Sequence, residues 1–204
     1  MTTTTLQGRK VRLVPLEMAH HAQLCEVGLD ERLWARTTIE VRTTEQMREY
    51  IAFALESRAA GTALPFVIEE IVSGKIVGST RFHSYVPKHR RIEIGFTWLA
   101  PPWQRTGING EAKYLMLRHA FETMECQRVE FKADVDNAPS RRALERLGAT
   151  HEGVLRSYMI SERIGPRDVA IYSILKSEWP AIKGQLEAHA SSGLTTLPDT
   201  SVSR

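Results

Sequence analysis

The chain has 204 residues, enough for one well-buried core and short for two, so a single domain is expected. Apolar residues make up 42% and charged residues 25%, ordinary for a soluble globular protein, and no apolar run approaches the ~20 residues a membrane-crossing helix needs. The net charge of +3 is mild, with Lys and Arg scattered rather than striped, which argues against nucleic acid and against a membrane surface as partner. Met1 to Leu6 lacks the basic-then-apolar layout of a secretory signal, and Cys25 and Cys126 are too few for a disulfide framework and have no metal-ligand spacing. A cytoplasmic protein with no metal is the expectation.

In chain order, Arg9–Leu16 alternates and reads as a strand, and a helix follows over Ala19–Leu29. Thr43 and Gln46 form a capping box for a helix carrying Met47, Tyr50, Ile51, Ala54 and Leu55 at helical spacing and ending at Gly61. Leu64–Ile71 and Lys75–Phe82 flank a Ser73-Gly74 turn as a hairpin. Ile92–Leu99 is a strand with Ile92, Ile94, Phe96 and Trp98 on one face, stopped by Pro101-Pro102. A loop leads to a helix over Gly110–Met124, then the strand Val129–Val135 and a helix closed by Gly148. Val154–Ile160 and Asp168–Leu175 pair across Gly165-Pro166, Ser177 caps a last helix, and the residues after Ala190 read as a polar, flexible tail. The pattern predicts a mixed α/β sheet with helices on both faces.

Gln104–Asn109 sits directly before a helix, where several backbone N–H groups lack intrahelical partners. With the positive end of the helix dipole behind them, and with Gly107 and Arg105 at hand, these donors suit a pyrophosphate. The plainer alternative is a connecting loop in which Asn109 is the N-cap.

A second motif, Asn137-Ala-Pro-Ser140 with Gly148 closing the helix, follows the strand that ends at Val135. With Gln104-Arg-Thr-Gly107-Ile-Asn109 before it, the chain from Gly8 to Trp179 resembles the GNAT superfamily of N-acetyltransferases. The likeness is to the branch of the ribosomal-protein alanine and serine N-acetyltransferases (RimJ/RimL-like). Gly8-Arg9-Lys-Val-Arg-Leu, Gly78 and Glu93-Ile-Gly95 sit where that branch places similar residues. The resemblance implies one N-acetyltransferase domain over residues 1–190 with a tail over 191–204. It also implies a mostly antiparallel sheet splayed between the fourth and fifth strands. Acetyl-CoA would then be the co-substrate. Its pantetheine would lie against Thr97, Trp98 and Leu99, its pyrophosphate on Gln104, Arg105, Thr106, Gly107, Ile108 and Asn109, and Asn137 would orient it. Two departures stand out: Asn109 replaces the loop's last Gly or Ala, where its side chain could occupy an amide meant for phosphate, and Leu144 stands where many members carry a tyrosine acid.

For catalysis, Ser140 is the candidate to meet the departing thiolate, with a helix-capping hydroxyl as the alternative. Glu93, read as sharing a face with Gly95 and Thr97, is the candidate base. The alternatives for Glu93 are a structural carboxylate paired with Arg91 or Arg81, or a base role held by His83 or His89. Glu111 and Lys113 begin the following helix and could act through its dipole or simply stabilise it. The reaction expected is direct attack by the amine in a ternary complex, the thioester carbonyl being polarised by the Leu99 amide. A protein or peptide α-amine is the leading acceptor. A small amine (antibiotic, polyamine or amino acid) is the second reading and a non-catalytic CoA-binding module the third, with a homodimer left open. Asp30–Thr44 and Ser157–Asp168 are read as the acceptor loops.

Overall fold

The Thr43 hydroxyl accepts from the Gln46 N–H while the Gln46 side chain returns to the Thr43 N–H, so the capping box starts α2 (Thr44–Ala59) where its sequence places it. The structure, a computed structural model, describes residues 2–35, 37, 39–161 and 164–191. The tail expected beyond Ala190 lies outside them, apart from Ser191 at the end of the last helix.

Among the described residues eight strands form one sheet: β1 (Leu6–Gln7), β2 (Val11–Pro15), β3 (Leu64–Glu70), β4 (Lys75–Val86), β5 (Arg91–Leu99), β6 (Arg128–Asp134), β7 (Thr150–Ser161) and β8 (Gly165–Leu175). Their order is β1-β2-β3-β4-β5-β6-β8-β7, and every pair except β5–β6 is antiparallel. The first expected strand is β2, and the short β1, which the sequence reading lacked, precedes it across a turn in which the Gly8 N–H bonds the Val11 carbonyl at 2.9 Å, so the expected fourth and fifth strands are β5 and β6.

Besides α2 the α-helices among the described residues are α1 (His21–Gly28), α3 (Ile108–Arg118), α4 (Ala138–Arg146) and α5 (Trp179–Ser191). α3 begins two residues before the expected Gly110 and runs on into a π-helical turn over His119–Thr123. Ser177 does not cap α5, because the first turn closes from Ile182 N–H to the Glu178 carbonyl. Apolar side chains from α3, α4 and α5 join one core cluster on one face of the sheet, and those from α1 and α2 join a second on the other.

One local feature decides the site. Phe96 has φ 51°, and the β4–β5 register shifts between Ser79 and Arg81. This bulge adds a residue to β5 and inverts the alternation beyond it. Ile92 and Ile94 accordingly join the α3-side core, whereas Phe96 and Trp98 join the α1/α2 side, correcting the expected single stripe. Glu93 and Thr97 also fall on opposite faces, not on one as expected: Thr97 meets Lys113 of α3, and Glu93 meets His83 and Lys132.

Candidate active site

The β5–β6 ladder is short: Arg91 with Arg128, Ile92 with Val129 and Glu93 with Glu130. Beyond Glu93 the strands part, and a groove of about 2110 Å³ opens between them. Its backbone donors can be traced from the far side of β5. A Cβ on Gly78 would stand 2.1 Å from the Trp98 carbonyl oxygen, so that oxygen is aimed at β4. The Ala100 N–H also turns to β4, bonding the Val77 carbonyl at 2.9 Å. The carbonyl and N–H of a trans peptide point opposite ways, so the Leu99 N–H and carbonyl face the groove. Gln104 Nε2 donates to that carbonyl at 2.8 Å.

At one end of the groove the chain curls into α3. Arg105 and Gly107 take left-handed backbone angles (φ 64° and 90°), and Gly107 is the N-cap with no side chain supplying a capping bond. The first bond of the helix runs from Glu111 N–H to the Gly107 carbonyl at 3.0 Å, so the Ile108, Asn109 and Gly110 amides are among the donors left without helical partners. Asn109 is therefore not the cap. It lies within the first turn, and its Oδ1 is buried with no hydrogen-bond partner. The amide that its side chain was expected to occupy stays open, because Gly107 has taken the cap position. Ile108 turns its side chain into the core and the Thr106 hydroxyl donates to the Trp103 carbonyl at 2.7 Å, so these two offer the groove only backbone. Arg105 is exposed, and Trp98 packs its indole on Trp34 at the opposite end, ring centroids 5.6 Å apart. Glu111, whose role was open, is structural: its carboxylate accepts from the Arg9, Lys10 and Val11 amides at 2.9, 2.7 and 2.9 Å. It ties the β1–β2 turn to the first turn of α3.

Asn137 and Ser140 line the wall made by β6 and α4. Asn137 is the N-cap of α4, its Oδ1 accepting from the Ser140 N–H at 3.3 Å. The expected alternative of a capping Ser140 hydroxyl therefore fails, because the cap is already supplied one turn earlier by the asparagine. Leu144 is buried on α4 and offers only hydrocarbon at the position where the sequence resemblance implied a tyrosine in many members.

Glu93 occupies the point where the strands part and is 4% exposed. Neither Arg91 nor Arg81 pairs with it. Arg91 bonds Glu130 at 3.1 Å, and the Arg81 guanidinium is stacked over Phe96, 4.0 Å from the ring centroid, with no hydrogen-bond partner. The partners of Glu93 are Lys132 Nζ at 2.9 Å and His83 Nε2 at 3.4 Å. Burial raises the Glu93 carboxyl above its ordinary value, against the pull of Lys132. Burial, helped by the charges of Arg81, Lys132 and Lys113, lowers His83 to about 3, so its imidazole is neutral at physiological pH. His89 is exposed in the turn before β5 and lies outside the groove.

Sequence reasoning missed Lys132, since its pairing spans 39 residues and a parallel crossover. It also undervalued Lys113, which is 7% exposed in the groove floor. A signal was present, because Lys113 flanks the buried helical stripe Ile108, Ala112, Leu115, Met116, where a lysine is unusual. Of the expected acceptor loops, Arg32, Leu33, Trp34 and Thr37 line the groove mouth with Tyr158 and Met159, while residues 36, 38, 162 and 163 lie outside the described set. Among the described residues no cluster of His, Cys, Asp or Glu is placed to hold a metal, and no helix is long and apolar enough to cross a membrane.

A splayed parallel pair followed by an uncapped helix start is the arrangement that the sequence resemblance implied, and the sequence profile of the acetyltransferase (GNAT) domain matches residues 10–150. This chain belongs to the GNAT family. Among curated GNAT relatives, it is 34% identical over 109 residues to YoaA, an uncharacterized N-acetyltransferase of Bacillus subtilis (strain 168), covering 53% of this chain and 60% of YoaA. It is 33% identical over 113 residues to YdaF of the same organism, a candidate ribosomal N-acetyltransferase, covering 55% of this chain and 61% of YdaF. The chain thus spans about three-fifths of the length of these two relatives. Among solved structures, a GCN5-related N-acetyltransferase from Brucella melitensis superposes with a TM-score of 0.85 at 30% identity, over 92% of this chain and 86% of that one. Mycobacterium smegmatis RimJ in complex with CoA-disulfide shares the fold, with a TM-score of 0.76 at 24% identity over 90% of each chain.

Proposed function

We propose that this GNAT chain transfers an acetyl group from acetyl-CoA to the N-terminal α-amine of a protein or peptide, in the cytoplasm. The observation that carries the reading is the groove itself. Unpartnered amides at the start of α3 suit a pyrophosphate, and the edge of β5, with the Leu99 N–H facing outward, suits an extended amide chain such as pantetheine. Gln104 to Asn109 hold the diphosphate mainly through backbone, Thr97 to Leu99 hold the pantetheine, and Asn137 orients the coenzyme from the far wall.

In the ternary complex the amine attacks the thioester carbonyl, whose developing charge the Leu99 amide meets. Glu93 takes the amine proton, and burial, which raises its proton affinity above that of an ordinary carboxylate, makes it a better base. The Ser140 hydroxyl, free of capping duty, hydrogen-bonds the departing sulfur. An α-amine has an ordinary pKa of ~8 against ~10.4 for lysine, so it needs only a modest base. The ribosomal role in the name of YdaF points the same way. The test is to incubate the protein with acetyl-CoA and a panel of peptides, polyamines and amino acids, reading thiol release and the mass of each amine. Acetylated peptide α-amines support the reading. Acetylated small amines alone would replace the acceptor, and coenzyme binding without any product would leave a CoA-binding module.

A further inference from the structure

Lys113 projects from α3 into the floor of the groove. Its Nζ donates to Thr97 Oγ1 of β5 at 2.5 Å and lies 5.9 Å from the Phe131 ring of β6, so it sits between the parted strands. The Thr97 hydroxyl is shared in turn with Thr80 of β4 at 2.8 Å. No carboxylate among the described residues pairs with this ammonium. On its own helix, Glu111 is bound to the Arg9–Val11 amides and Tyr114 donates to Glu187. On β5, Glu93 is held by Lys132, and the α4 side of the groove offers the hydrocarbon of Leu144. A buried ammonium without a counter-charge is costly to keep, and negative charge that develops in the groove only as a bond breaks would offset that cost.

We propose that Lys113 is a catalytic residue, the general acid that protonates the CoA sulfur as the thioester bond breaks. The proposal rests on the acetyl-CoA reading of the groove. As the nitrogen–carbon bond forms, the carbon–sulfur bond breaks and its electron pair leaves with sulfur. The sulfur takes a proton from the Lys113 ammonium, which becomes a neutral amine, while the proton lost by the acceptor goes to Glu93. Both groups then exchange with solvent. An alkyl hydroxyl such as that of Ser140 can hydrogen-bond a thiolate but is too weak an acid to supply its proton, and Leu144 removes the phenol that would otherwise do so. Burial lowers Lys113 to about 7, which is below the ~8.5 of an ordinary thiol, so the transfer runs downhill. His83 of β4 also registers the Lys113 charge and is itself neutral in this range.

The acid form of Lys113 is lost as pH rises, so the kcat/KM profile should fall as pH rises through about 7. Lys113→Met should lower kcat by ~10²-fold or more, remove that falling limb, and leave the acetyl-CoA Kd from calorimetry nearly unchanged. Lys113→Arg keeps the charge on a group that cannot give up its proton near neutrality, so it should be as slow as the Met variant. Near-normal turnover of Lys113→Arg would mean that charge alone suffices and would overturn the general-acid role. Unchanged kcat and pH profile in Lys113→Met would overturn any catalytic role. Should the Met variant fail to fold, the Arg variant and the wild-type profile decide, and a wild-type profile without the falling limb refutes the proposal. Wild-type protein that binds acetyl-CoA yet releases thiol with no amine would remove the acetyltransferase reading, and this assignment with it.

Discussion

Lys132, two residues past the last paired position of β6, reaches back to place its Nζ 2.9 Å from Glu93 Oε2, so this ion pair marks the point where the groove begins. The pair fixes the Glu93 carboxylate toward the groove while burial keeps its proton affinity high. Glu93→Gln should lower kcat by ~10²–10⁴-fold with little change in acetyl-CoA affinity. A steady-state comparison showing kcat within about twofold of wild type, far short of a general base, would make Glu93 an anchor for Lys132 only.

Asn137, not Ser140, caps α4, and two alanine variants separate capping from catalysis. Asn137→Ala removes the cap and should cost ~1 kcal/mol of stability. Ser140→Ala should leave the melting temperature unchanged and lower kcat by roughly ten- to a hundredfold, equivalent to ~1.4–2.8 kcal/mol of barrier. Denaturation and initial-rate measurements on both variants check this. A Ser140→Ala enzyme with normal turnover would show that the sulfur needs no help from this hydroxyl.

These contrasts follow how legible the chain was. The Thr43–Gln46 capping box and the Gly148 helix end depend on a few neighbouring residues, so the sequence carried them directly. The loop before α3 was legible for the same reason, although only the structure shows Gly107 rather than Asn109 at its cap. The face of each β5 residue was not legible. Period-two reading fails at the Phe96 bulge, which the neighbouring Gly95 signals without fixing where the extra residue falls, and this misplaced Glu93 and Thr97 on one side. Nor could local pattern pair Glu93 with Lys132, since the crossover between them decides which residues meet.

His83 gives the protein a specific acid sensitivity. The unfolded chain binds a proton on this imidazole below its ordinary value of ~6.5, whereas the folded protein resists until about 3. The unfolded state therefore binds more protons in that window, and stability is lost as pH falls through it, by at most ~1.4 kcal/mol per pH unit from this group. Chemical denaturation from pH 7 to 4 should show a shallower loss in His83→Gln than in wild type. Parallel curves would mean that the folded protein protonates His83 as readily as the unfolded chain does.

The account turns on the amides around Gly107, and titrating acetyl-CoA into the wild-type protein and Gly107→Val by calorimetry tests it most directly. Gly107 holds φ 90°, a conformation that a β-branched residue resists, so valine should turn the Ile108–Gly110 donors out of line while far-ultraviolet circular dichroism stays native. The account predicts saturable binding to the wild type and no detectable binding to the variant. Equal affinity in the two proteins would contradict it and place the coenzyme's phosphates elsewhere.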